Sequence, residues 1–119
     1  MDTEKLRDLC LSLPGTSEGI KYGDQLCFMV LGKVFCSSNL KNLDRANFKA
    51  ADEEFEELCE RPGVIAAPYG GAKFKWVQVT DFDHLTDKEW AQYLRKAYDL
   101  VKAKLTKKEQ ALLDAPRNE

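Results

Sequence analysis

Few residues in this 119-residue chain have the type and spacing that chemistry requires. His84 is the only histidine and stands between Asp83 and Leu85. An imidazole beside a carboxylate is a general-base arrangement, yet no serine or cysteine lies next to it in a nucleophile motif, and a loop histidine is more often solvated. Cys10, Cys27, Cys36 and Cys59 are spaced too widely for a CxxC pair and sit in apolar runs where a small hydrophobe serves equally well. Four reduced thiols and no metal site are expected. The acidic run Asp52 to Glu60 invites a paired-carboxylate reading. On a helix, however, Glu53, Glu56, Glu57 and Glu60 fall opposite or beside Phe55, Leu58 and Cys59, which describes a solvated outer face. Gly70-Gly71 lacks the surrounding pattern of a phosphate-binding loop and reads as a turn. No catalytic residue, metal or cofactor is assigned, and the chain is expected to be non-enzymatic.

Residues suited to binding are easier to find. If 74–79 is a strand, Phe74, Trp76 and Gln78 share one face and Lys75, Val77 and Val79 the other, with Lys73 at the hairpin rim. Should Val77 and Val79 point to a helical layer, Phe74 and Trp76 occupy the open face, where aromatic rings stack on bases or close over a ligand. The competing reading, and the commoner fate of large aromatics, packs both under the Tyr69 loop, a neighbouring strand or a second copy. Charge is unevenly spread behind a net −2. Residues 21–50 carry Lys21, Lys33, Lys41, Arg45 and Lys49 against Asp24 and Asp44, a balance of +3, whereas residues 51–60 carry −6. Lys33, Lys49, Lys73 and Lys75, with Phe74 and Trp76, are therefore the candidate contacts to nucleic acid or another partner. Lys102, Lys104, Lys107 and Lys108 complement the negative end of the last helix and are also placed to meet phosphates. A chain of pI 5.5 lacks the global basicity of a strong non-specific nucleic-acid binder.

The elements that must position these residues follow from periodicity and punctuation. Leu6, Leu9, Cys10 and Leu13 recur at helical spacing until Pro14-Gly15, predicting a helix over 3–13. Residues 16–23 read as a loop. The apolar run Leu26 to Leu31, a turn at Gly32-Lys33 and Val34 to Ser37 predict two antiparallel strands, and Ala46 to Lys49 a short third. Asp52 is placed to cap a helix with Phe55, Leu58 and Cys59 as its buried stripe. After Pro62-Gly63, Val64 to Ala67 and Phe74 to Val79 form a hairpin that reverses across Tyr69 to Ala72. Thr86 and Glu89 match the S/T-x-x-E capping box, and Trp90, Leu94, Ala97, Val101 and Leu105 give the final helix its stripe, flanked by Tyr93 and Tyr98.

The order helix, three strands, helix, two strands, helix predicts an α+β two-layer fold with an antiparallel sheet. One domain over 1–109, with a frayed tail over 110–119, is the expected organisation. Asp2, Glu4, Asp8 and Glu18 leave no basic start or apolar core for a signal peptide, and no apolar run is long enough to span a bilayer, so a cytoplasmic protein is expected.

Four segments occur in the order LPGTSE from Leu13, FMVLGKVFC from Phe28, RPGVIAAPYGGAKFKWVQV from Arg61 and AYDLVKAKLTKK from Ala97. In them the chain resembles the MmcQ/YjbR family of small bacterial domains labelled DNA-binding. The resemblance implies the same element order and, as first expectation, DNA binding, which with so few lysines is weak and salt-dependent. A protein–protein adaptor and a small-ligand binding module are the alternative roles.

Overall fold

The computed structural model describes residues 1–42, 44–68 and 70–114. Helix α1 (Thr3–Leu11) begins at Asp2, whose carboxylate accepts a hydrogen bond from the Lys5 amide at 2.8 Å. Four strands follow as a meander: β1 (Thr16–Lys21), β2 (Gln25–Val30), β3 (Lys33–Asn39) and β4 (Ala46–Lys49). The β2–β3 connection is Leu31-Gly32, both at positive φ (46° and 83°), as the favoured two-residue hairpin turn demands. Helix α2 (Asp52–Glu60) leads to β5 (Val64–Ala66), the one-turn helix α3 (Gly71–Phe74) and β6 (Trp76–Val79). A 3₁₀ turn (Phe82–His84) precedes the long α4 (Asp87–Lys102), and α5 (Lys107–Asp114) closes the described chain.

The strands form a six-stranded antiparallel sheet in the order β1-β2-β3-β4-β6-β5. Together with the helices this is the α+β architecture expected from the sequence. Phe28, Cys36, Ala46, Phe48, Val77 and Val79 line the helix-facing side and are fully buried. A bulge after Phe28 lets Phe35 join Cys36 in the core, where its ring meets Tyr98 of α4 edge-on at 5.7 Å. Trp90 lies between Phe48 and Phe82 and donates its indole N–H to the Phe82 carbonyl at 2.9 Å, so its one polar atom is satisfied. Val77 and Val79 thus point to the helices, as alternation predicts.

Several boundaries differ from the sequence reading. Residues 16–21 are strand β1 rather than loop; its side chains are mostly exposed, and it is held by backbone pairing to β2 and by the bidentate Arg7–Glu18 ion pair from α1. Ala51, not Asp52, is the N-cap of α2, and Asp52 is the first helical residue, with Glu53 and Glu54 beside it at the positive end of the dipole. Cys59 is half-buried. The reversal after β5 contains a helical turn, so Phe74 is helical and the strand starts at Trp76; Tyr69, predicted in that reversal, lies outside the described residues. The last helix ends at Lys102, and residues 107–114 form α5 where fraying was expected from 110; residues 115–119 lie outside the description. Two reciprocal capping boxes explain this division, since Thr106 and Glu109 repeat at α5 what Thr86 and Glu89 do at α4. Among the described residues no helix is long and apolar enough to cross a membrane.

Candidate nucleic-acid interface

The segment after β5 sets the site. Gly70 adopts φ +95°, and a Cβ on Gly71 would come within 2.9 Å of the Trp76 carbonyl oxygen, so the tight turn requires the absence of a side chain at both positions. Helix α3 then ends at Lys75, itself left-handed at φ 60°, from which the chain enters β6. This geometry lifts Phe74 out of the strand and leaves it 58% exposed, while Trp76 stays on the open face of the sheet, half-buried. The pairing Lys49↔Trp76 brings the end of β4 alongside, and the Lys49 ammonium donates to the Phe74 carbonyl.

The six sequence-derived candidates come together. Lys33, Lys49, Lys73, Phe74, Lys75 and Trp76 all line one groove of about 620 Å³, whose other wall is Leu100 and Val101 in the last turn of α4 with Lys104 and Leu105 just beyond it. Lys104 thus enters the site from the basic end of the last helix. Lys75 sits 5.0 Å from the centre of the Phe55 ring and Lys73 5.4 Å from that of Phe74, both within cation–π range. The Lys49 pKa is held below its ordinary value, first by burial and then by the like charge of Lys104, partly opposed by Asp52, with a lesser contribution from Lys75. The positive field is therefore felt inside the groove. Among the described residues Asp52 is the one carboxylate on its wall. Glu53, Glu56, Glu57 and Glu60 are exposed on α2, in keeping with a solvated outer face, and Glu54 pairs with Lys96 of α4.

The residues weighed for catalysis lie elsewhere. His84 is exposed in the 3₁₀ turn with its ring packed over Gly63, where an added Cβ would come within 2.0 Å of it. Nearby, Arg61 bridges to Glu89 and to the His84 carbonyl, which ties the end of α2 to the start of α4. All four cysteines are free; Cys10, Cys27 and Cys36 are buried, and burial raises the Cys36 thiol well above its usual pKa. Among the described residues no His, Cys, Asp or Glu side chains cluster so as to hold a metal ion.

Phe74 and Trp76 also border a second hollow, on the open face of the sheet, which the sequence signalled only through Gln78. Its polar lining comes from short strands whose outward residues, Ser37, Asn47 and Gln78, alternate with core positions. That alternation is visible in the sequence once the sheet order is known.

Comparison with known proteins agrees with this architecture. The crystal structure of the Deinococcus radiodurans protein DR2400, with a DUF419 domain, superposes with a TM-score of 0.82 at 28% identity, covering 95% of this chain and 88% of that one. No curated protein gives a significant match. The YjbR family model matches residues 11–100, which span every strand and the sheet-side wall of the groove and stop at Leu100 on its other wall, and the chain belongs to the YjbR family.

Proposed function

We propose that this chain is a small, non-enzymatic YjbR domain of the bacterial cytoplasm that binds nucleic acid, DNA first, by laying the phosphate backbone against the lysine groove. The observation that carries this reading is the convergence of Lys33, Lys49, Lys73, Lys75 and Lys104 on one concavity that also presents an exposed aromatic ring. Lysine contacts phosphate as a point charge and carries no base code, so binding is weakly selective for sequence. The acidic face of α2 repels the backbone on the neighbouring surface and confines it to the groove. The non-enzymatic part of the reading is supported by His84, engaged with Gly63 away from the groove, and by Cys27, Cys36 and Cys59, whose thiols burial pushes above their usual pKa.

The test is titration of mixed-sequence duplex and single-stranded DNA at low and at physiological salt. Weak binding that falls steeply with salt is the expected result. Absence of binding at low salt, or tight binding indifferent to salt, overturns the proposal.

A further inference from the structure

The open face of the sheet holds a second, differently built concavity of about 920 Å³. Its chemistry is graded along the strands. At one end stand Phe74 and Trp76; in the middle, Asn47 and Gln78 face one another on paired strands with Ser37 on the next; at the other end is Arg45, two residues beyond Asn47. At about 3.4 Å per residue the steps from the Trp76 level to the amides and from the amides to Arg45 are each about 7 Å.

These polar groups are poorly satisfied by their own neighbours. The Arg45 Nε and the Asn47 Oδ1 are shut off from solvent without a hydrogen-bond partner, and Arg45 makes no ion pair among the described residues. The Asn47 amide reaches only the Ser37 hydroxyl, at 3.3 Å. Buried polar groups left unpaired carry a desolvation cost that a ligand able to draw them into hydrogen bonds relieves. A guanidinium with no carboxylate partner selects an oxyanion, two amides and a hydroxyl select vicinal hydroxyls or ring heteroatoms, and the aromatic pair selects a flat ring.

We infer that this face is a binding site for a free nucleoside monophosphate, with the base on Trp76 and Phe74, the sugar hydroxyls on Asn47, Gln78 and Ser37, and the phosphate on Arg45. Asp24 lines the same hollow and accepts from the Gln25 amide at 3.4 Å, and its negative charge limits the anionic end to a single phosphate group. The site is separate from the lysine groove, sharing only the aromatic pair, and does not depend on DNA binding.

The experiment is calorimetric titration of the folded protein with adenosine monophosphate, adenosine, ribose 5-phosphate and inorganic phosphate, with the Trp76 indole followed by NMR. Adenosine monophosphate binds at low-millimolar concentration or better and shifts the Trp76 indole signal, and each fragment binds at least about tenfold more weakly. Arg45→Met weakens the nucleotide by about tenfold, and Gln78→Met, a solvent-side change that leaves the core untouched, by about fivefold. Lys33→Ala with Lys104→Ala, two changes confined to the lysine groove, leaves it unchanged. No binding of the nucleotide, undiminished binding to Arg45→Met or to Gln78→Met, inorganic phosphate binding as tightly as the nucleotide, or a loss in the double lysine variant overturns the inference; none of these outcomes decides the DNA titration.

Discussion

Replacing Lys73 and Lys75 together by alanine offers a quantitative check on the groove. Five lysines line it, and one of them, Lys49, already donates its ammonium to the Phe74 carbonyl, which leaves Lys33, Lys73, Lys75 and Lys104 free to take phosphates. Each neutralised phosphate of a duplex contributes about −0.9 to the slope of log K against log salt, so four contacts give about −3.6, or a loss of about 150-fold between 50 and 200 mM salt. Removing two of the four reduces the slope to about −1.8 and the same salt step to about 12-fold. Lys73 is exposed and Lys75 half-buried, and they make cation–π contacts to Phe74 and Phe55 on the surface of the groove, so the fold survives the change. Fluorescence anisotropy of a labelled duplex at four or more salt concentrations measures the slope. Lys21→Ala with Lys41→Ala changes the net charge equally but acts away from the groove, on β1 and on the loop after β3, and leaves the slope where it was. An unchanged slope in the groove variant, or an equal fall in the control, refutes the assignment of phosphate contacts to these lysines.

Two tryptophans separate core from surface: Trp90→Ala removes a fully buried ring together with its hydrogen bond to the Phe82 carbonyl, costing about 4 kcal/mol, whereas Trp76→Ala empties a half-buried site and costs about 2 kcal/mol. Equal shifts of the urea midpoint for the two variants contradict the placement of Trp76. The Arg61 guanidinium and the Thr86 backbone hold the Glu89 carboxyl down at about 2 from an ordinary 4.5. A depressed carboxylate stabilises the fold fully above its unfolded pKa, so this contribution fades as pH falls from 4.5 towards 2, and Arg61→Met makes the acid-induced loss of stability shallower across that window. Identical acid profiles of the two proteins exclude the linkage. For the thiols, a disulfide-exchange reagent at mildly alkaline pH labels Cys59 first in the native protein, and Cys10, Cys27 and Cys36 only after denaturation. Early labelling of Cys36, or a mass lowered by two hydrogens per bridge, counts against four buried or half-buried free thiols.

Elements with a strong apolar stripe were legible because burial writes itself into spacing. The capping box at Thr86 and Glu89 and the stripe from Trp90 to Ala97 located α4 within a residue of its start. Strand β1 was hidden for the opposite reason: it is an edge strand with exposed Ser17, Glu18, Ile20 and Lys21, so backbone pairing rather than apolar alternation makes it a strand. The turn at Gly71 to Phe74 was hidden because its helicity depends on a close approach to the Trp76 carbonyl, a tertiary contact with no local signature. All six proposed contact residues nevertheless reached one groove: the alternation in Trp76 to Val79 was legible in the sequence, whereas the basic segment up to Lys49 was read only as charge and is brought alongside by the β4–β6 pairing. Arg45 and Asn47 were visible only as charge and as a weak strand, because the hollow they line exists only once β6 lies beside β4. The second capping box, Thr106 to Glu109, was present in the sequence as TKKE and marks α5 by the same rule that located α4.

The order of the sheet places β6 between β4 and β5, although the ribosome delivers β5 first. When residues 1–68 have emerged, β4 presents a bare edge, β5 has no partner, and the apolar face of Phe28, Phe35 and Phe48 still awaits α4. Nothing in that fragment completes the core, so commitment to the native state falls to the last third of the chain, where β6 fills the gap and Trp90 and Tyr98 arrive together. Any truncation upstream of β6 therefore yields a sticky four-stranded sheet and not a smaller stable domain.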